Sequence, residues 1–99
     1  NLSIFFPNAF TPNGDNHNDF FGGVGKYEAI KEFELLIFNR WGELIYKTND
    51  PNLPWNGRKY NLSGNPLSPD GVYVYAANIR DFLEKQFEFK GTFILMSNQ

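Results

Sequence analysis

Residues 32–48 of the chain read EFELLIFNRWGELIYKT, two apolar runs separated by Asn-Arg-Trp-Gly. Alternate positions of the first run share one face of a strand and are large and apolar: Phe33, Leu35 and Ile37. In the second run, 43–48, the alternation predicts that Tyr46 lies on the face opposite to Ile45. A short loop that closes on Gly42 favours a β-hairpin in which this glycine adopts the left-handed conformation.

Further short strands, separated by proline and glycine, are expected on both sides of this hairpin. Residues 2–6 and 9–11 form short extended runs that each stop at a proline, and residues 72–79 and 86–96 read as longer strands. Several prolines make residues 50–67 irregular. Together with an aromatic content of 18%, this predicts a single all-β domain, an antiparallel immunoglobulin-like β-sandwich of about seven strands.

Composition and charge exclude several classes of function. The formal net charge of −2 provides no basic surface for a phosphate backbone, so no nucleic-acid partner is expected. No apolar run reaches the roughly 20 residues that a membrane-spanning helix needs. The chain has no cysteine and a single histidine, His17, and its serines lie in no nucleophile motif. We therefore expect no enzymatic activity.

Residues 13–19 read NGDNHND and contain no apolar side chain. Polar side chains occupy alternate positions, where they can project to one side of the chain: Asn13, Asp15, His17 and Asp19. Calcium-binding loops use such alternate ligands, although this run lacks the central glycine and the closing glutamate of an EF-hand. The other interpretation is a tight loop in which Asn and Asp side chains bind their own backbone. A Ca²⁺ site and a loop without any cofactor both stay open.

Trp41 and Trp55 each lie beside a turn signal. Two exposed tryptophans on a β-sandwich could stack on sugars, which would make the domain a surface adhesion or carbohydrate-binding module. Tryptophan is usually largely buried, so we expect both rings to close the ends of the sandwich instead.

Five segments, in order along the chain, resemble the gliding motility-associated C-terminal domain. The opening signature of that family is similar to PNAFTPNGD at residues 7–15, continued by Asn18, Asp19 and Phe20. The later segments are IFNRWG at 37–42, WNG at 55–57, GVYVY at 71–75 and the strand at 90–95. The resemblance extends over residues 4–96, nearly the whole chain.

This resemblance implies a type B C-terminal sorting signal of the type IX secretion system, with residues 1–99 forming one β-sandwich domain excised from a longer secreted protein. It also implies docking to the outer-membrane translocon and to a dedicated partner barrel, and export of the carrier to the cell surface or the medium.

Recognition of such a partner is expected to use distinctive loops, the last strand and an open sheet edge that can add to a partner sheet. Packing alone poorly explains the identity of these segments. Partner contacts are therefore expected from Asn13, Asp15, Asp19, Arg40, Trp41, Phe93 and Leu95.

Overall fold

The computed structural model describes residues 4–12 and 19–96. Its regular structure consists of short strands at the start of the chain and longer ones later, with a single-turn 3₁₀ helix at Lys59–Asn61. The strands are β1 (Ile4–Phe5), β2 (Ala9–Phe10), β3 (Val24–Gly25), β4 (Ile30–Phe38), β5 (Leu44–Thr48), β6 (Gly71–Asp81) and β7 (Gln86–Leu95). The expected all-β class is confirmed.

The strands form a five-stranded sheet in the order β2-β7-β6-β4-β5 and a two-stranded ribbon of β1 and β3. The long strands pair antiparallel, as expected, but β2 runs parallel to β7. Hydrogen bonds from the backbone N–H of Ile94 to the carbonyl of Asn8, and from Met96 to Phe10, hold β2 in place. Phe6, directly after β1, packs on Tyr75 and Phe89, so the ribbon covers one face of the main sheet.

The inner face of the main sheet carries the odd-numbered residues of its three long strands. In β4 these are the predicted Phe33, Leu35 and Ile37, all buried. The corresponding buried residues of β6 and β7 are Tyr73, Ala77, Ile79, Phe93 and Leu95. The even-numbered residues face the other side, which we call the outer face.

Strand β5 departs from the simple alternation that its sequence predicts. Ile37 pairs with Tyr46 and Phe38 pairs with Leu44, so Ile45 is the extra residue of a β-bulge. As a result Ile45 and Tyr46 are both buried. The expectation that they lie on opposite faces is wrong, because a bulge shifts the register by one residue.

Aromatic rings fill the space between the sheet and the segments that cross its inner face. Phe93 lies at the centre, and its ring centroid is 3.7 Å from that of Phe21, 5.8 Å from Phe10 and Tyr73, 6.0 Å from Trp55 and 6.3 Å from Tyr75. Phe21 and Trp55 also exchange two backbone hydrogen bonds of 2.8 Å. This bridge ties two irregular segments together over the sheet.

Replacing Phe93 by alanine should lower the free energy of unfolding by about 3–5 kcal/mol, because it leaves a cavity among five rings. The neighbouring Ile94 is on the outer face and partly exposed, so Ile94→Ala should cost less than about 1 kcal/mol. Urea unfolding followed by tryptophan fluorescence measures both. Equal losses for the two variants would contradict this assignment of the core.

Candidate functional site

The loop between β4 and β5 is held by one side chain. The Asn39 side-chain oxygen accepts hydrogen bonds from the backbone N–H groups of Trp41 and Glu43, both at 3.0 Å. The Gly42 N–H donates to the Asn39 carbonyl at 3.0 Å, and Gly42 has φ of +85°. The predicted left-handed glycine is confirmed. Since both ends of the loop are fixed, Arg40 and Trp41 are presented from a well-defined turn.

Trp41 is the most exposed aromatic side chain of the described residues, with 76% of its surface accessible. The Arg40 guanidinium carbon lies 4.6 Å from the centroid of the indole ring, a cation–π arrangement. The expectation that Trp41 is buried is therefore wrong, whereas Trp55 is fully buried as expected. The reason is local: Arg40 and Trp41 form the tip of the turn that Asn39 holds, so the indole lies beyond the end of the sheet.

An ion pair joins this loop to the 3₁₀ helix. Lys59 Nζ lies 2.6 Å from Glu43 Oε2, and the Asn39 side-chain amide donates to the other oxygen, Oε1, at 3.0 Å. The bond and charge of Lys59 lower the pKa of the Glu43 carboxyl below its ordinary 4.5, and Glu43 raises the pKa of Lys59 above 10.5. Both groups are therefore charged at neutral pH.

A pocket of about 220 Å³ opens beside the hairpin. The loop residues form one wall, residues 68–71 before and at the start of β6 form another, and Tyr73 lies in the lining. The Tyr73 hydroxyl donates to the Pro69 carbonyl at 2.6 Å. Burial is the main cause that raises the pKa of Tyr73 above 10.0, so this hydroxyl stays protonated and keeps the donor role. The pocket wall is thus braced against the core.

The outer face at the same end of the sheet is apolar. In cross-strand register Phe38 pairs with both Leu44 and Val74, and Val72 pairs with Ile94. These five side chains and the side chain of Met96 are at least partly exposed. We call this set the outer apolar patch: Phe38, Leu44, Val72, Val74, Ile94 and Met96. Val72 also lines the pocket, so patch, pocket and hairpin loop form one surface, here called the hairpin-end surface.

The other residues expected to contact a partner are placed differently. Phe93 and Leu95 are in the core with at most 1% of their surface exposed, so their side chains are not part of any surface of the folded domain. Asp19 is half-buried and does not line the pocket. Asn13 and Asp15 lie outside the described residues, and the prediction for them is unchanged.

The calcium site also stays a prediction, because Asn13, Asp15 and His17 lie outside the described residues. Within residues 4–12 and 19–96, no group of three or more His, Cys, Asp or Glu side chains is arranged to hold a metal ion.

The opposite end of the sheet carries a turn of the same design, which sequence reasoning did not identify as such. The Asp81 side-chain oxygen accepts from the N–H groups of Leu83 and Lys85, at 3.0 and 2.9 Å, and Glu84 takes the positive φ of 65°. Leu83 occupies the place that Trp41 has in the hairpin loop, and it is 87% exposed. The two turns share one sequence signal, an Asn or Asp residue four positions before the end of the turn.

These features define a β-sandwich that presents an exposed surface from a fixed turn at one end. The sequence from residue 4 to residue 95 matches the CHU_C type IX secretion signal domain family. The match spans nearly the whole chain, and the protein belongs to this family. The role of sorting signal that the resemblance implied is thereby supported, as is export of the carrier protein that bears the domain.

The fold has a counterpart among solved structures. The crystal structure of CopC from Methylosinus trichosporium OB3b is similar with a TM-score of 0.55 at 12% sequence identity, over 97% of this chain and 96% of that one. At this identity the likeness shows a shared immunoglobulin-like β fold alone. No curated protein matches the chain. The described residues contain no helix that is long and apolar enough to cross a membrane.

Replacing Gly42 by alanine should destabilise the domain by about 1–2 kcal/mol, the cost of a left-handed backbone for a residue with Cβ. No neighbouring atom lies within 4 Å of the added carbon, so the backbone alone accounts for the loss. Gly64→Ala is the control, since that site is equally open without the positive φ, and it should change stability by less than about 1 kcal/mol. Thermal or urea unfolding gives both values, and similar losses would contradict the argument.

The Lys59→Met variant should raise the pKa of the Glu43 carboxyl towards 4.5. In the native protein this pKa is lowered on folding, so the stability that the pair contributes is present above pH 4.5 and lost as the pH falls through the lowered value. The pKa of Lys59 is raised on folding, so its contribution to stability changes with pH in the opposite direction. That contribution is present below pH 10.5 and is lost as the pH rises above 10.5. An NMR titration of the Glu43 carboxyl carbon tests this, with Lys26→Met as control. An unchanged Glu43 titration in Lys59→Met would show that the pair does not form in solution.

Proposed function

We propose that the domain is the docking element by which the type IX outer-membrane translocon, together with a dedicated partner barrel, recognises a secreted carrier protein. The hairpin-end surface makes the principal contact. Asn13, Asp15 and Asp19 follow β2 along the chain, and we include them as further contacts. Trp41 and Arg40 are its anchors.

The observation that carries this proposal is the exposure of Trp41 on a turn whose geometry is fixed by Asn39. Interfaces concentrate their binding energy in a few Trp, Tyr and Arg side chains, and preorganised loops lose little entropy when they bind. Trp41 is such a side chain, since it is 76% exposed and has the Arg40 guanidinium against one face of its indole. The turn that presents both residues is already held by Asn39 in the unbound domain.

The outer apolar patch adds area to this anchor. Apolar side chains clustered on an otherwise polar face mark interaction surfaces more often than scattered ones do. Residues of the patch from four strands lie next to the pocket of about 220 Å³, which can accept one side chain of a partner. Membership of a secretion signal family supports a protein partner for this surface over a small ligand.

An export assay tests the proposal. The domain is fused to the C-terminus of a fluorescent reporter with an inner-membrane signal peptide, in a gliding bacterium with or without its type IX translocon and with candidate partner barrels co-expressed. Reporter outside the cell should require the translocon. Trp41→Ala should weaken docking by at least about tenfold, as expected for a tryptophan at the centre of an interface, and should reduce the exported fraction.

Leu83→Ala is the matched control, because Leu83 is even more exposed and occupies the equivalent place in the turn at the opposite end of the sheet. Export of this variant should equal that of the unmodified domain. Equal export of Trp41→Ala and Leu83→Ala, with both variants folded, would place the contact elsewhere. Reporter retained in the periplasm in the presence of the translocon and the barrel would overturn the proposal itself.

A second candidate function, surface adhesion or carbohydrate binding, is favoured by the same exposed indole. Sugars stack on a flat aromatic face. Arg40 occupies one face of Trp41, so a single face would be available. Titration of the domain with glycans, followed by the fluorescence of Trp41 in a Trp55→Phe background, would show a saturable change for a carbohydrate-binding module and none for a docking element.

A further inference from the structure

Among the described residues, strand β7 leaves a long sheet edge open. It pairs with β6 along its whole length, from Gln86 to Leu95, but β2 covers its other side only at Ile94 and Leu95. Within the described part of the chain, no strand pairs with residues 86–93 on that side. The opposite edge of the sheet, β5, is shorter and has the 3₁₀ helix packed against it.

The alternation of the ladder shows which backbone groups face this open edge. Ile94 and Met96 donate their N–H groups towards β2, so the even-numbered residues of β7 point their N–H and C=O groups to that side. For the uncovered stretch these residues are Gln86, Glu88, Lys90 and Thr92. An unpaired row of this length is a template for another strand, and natural proteins usually protect it. Proline and bulges, two common protections, are absent from residues 86–95.

The side chains of this edge are complementary to themselves. Glu88 and Lys90 are exposed neighbours on the outer face, with opposite charges two residues apart. If two copies of β7 pair antiparallel about a two-fold axis at Phe89, Glu88 of each copy lies directly opposite Lys90 of the other. This register also places even residues opposite even residues, which the hydrogen-bonding alternation requires. Gln86 then lies opposite Thr92.

We infer that β7 is a homodimer interface, in which residues 86–92 of two copies pair and join the two main sheets into one continuous sheet, with β2 of each copy still beside Ile94 and Leu95. Charge selects the register. A shift of two residues in one direction would place Glu88 opposite Glu88, and the same shift in the other direction would place Lys90 opposite Lys90. Like charges directly opposite each other on paired strands destabilise the pairing, whereas opposite charges stabilise it.

The inner face of this edge fits the same register. Phe89 lies opposite Phe89 of the second copy, and Phe87 lies opposite Gly91. Both phenylalanines are only partly buried in the single domain. Gly91 has no side chain because the Tyr75 ring occupies that space: a Cβ there would be 3.0 Å from Tyr75 Cε1.

Charge reversal tests the inference on the whole domain. Sedimentation equilibrium over micromolar to submillimolar concentrations should give twice the monomer mass for the unmodified chain. Glu88→Lys and Lys90→Glu alone should each weaken dimerisation by roughly tenfold or more, because each creates two like-charge pairs. The double variant E88K/K90E restores opposite charges and should dimerise as the unmodified chain does.

An equimolar mixture of the two single variants gives the sharpest result. One copy then carries lysine at both positions and the other carries glutamate at both, so native mass spectrometry should show the mixed dimer in excess over either homodimer. Lys47→Glu, on the opposite edge strand, is the control for charge reversal and should leave dimerisation unchanged. Circular dichroism confirms that each variant is folded.

Two outcomes would overturn the inference. A monomer at every concentration would leave the edge to a strand of another protein. A dimer that tolerates both single reversals would use a different surface. Neither outcome bears on the export assay, which depends on Trp41 at the end of the sheet and not on this edge.

Discussion

The stacking of Phe21 on Phe93 is the contact on which the rest of the fold depends. Phe93 comes from a regular strand, and Phe21 comes from an irregular segment that this contact helps to hold on the sheet. The backbone bridge from Phe21 to Trp55 then fixes a second irregular segment, and the Trp55 indole N–H donates to the Arg58 carbonyl at 2.8 Å. In a chain without cysteine, the aromatic cluster does the work that disulfides do in many small exported domains.

The alternation of Phe33, Leu35 and Ile37 was sufficient to predict the central hairpin and the buried face of β4 from the sequence. Period-2 burial is a property of the strand itself, so it is readable without the partner strands. The bulge at Ile45 was not predictable in this way, because it depends on the register between two strands. Likewise, the pair Val24–Gly25 carries no pattern, and it becomes a strand only because β1 lies beside it.

The position of the loop in the candidate site was predicted correctly, but the exposure of Trp41 was not. Arg40 and Trp41 were correctly placed on a turn that closes at Gly42, but tryptophan statistics predicted a buried ring. The ring is exposed because the two hydrogen bonds of the Asn39 side chain hold the loop in a tight turn, with the indole beyond the end of the sheet. The same turn built on Asp81 was harder to recognise, because Glu84 holds the left-handed position that glycine holds in the first. Phe93 and Leu95 were predicted to contact a partner because the last strand has a distinctive sequence. That sequence instead reflects the packing of these two side chains in the core.

The outer face of the sheet divides into two halves with different roles. Near the hairpin it is apolar, whereas towards the Asp81 turn it carries charged groups, among them Arg80, which lies 3.5 Å from Glu32 and 3.4 Å from Glu84. The β7 edge runs along both halves, with its charged pair Glu88 and Lys90 near the middle. In the proposed dimer the two copies of β7 are antiparallel, so the two hairpin ends lie at opposite ends of the joined sheet. Pairing along β7 therefore leaves both copies of Trp41 accessible, and the two surfaces can act independently of each other.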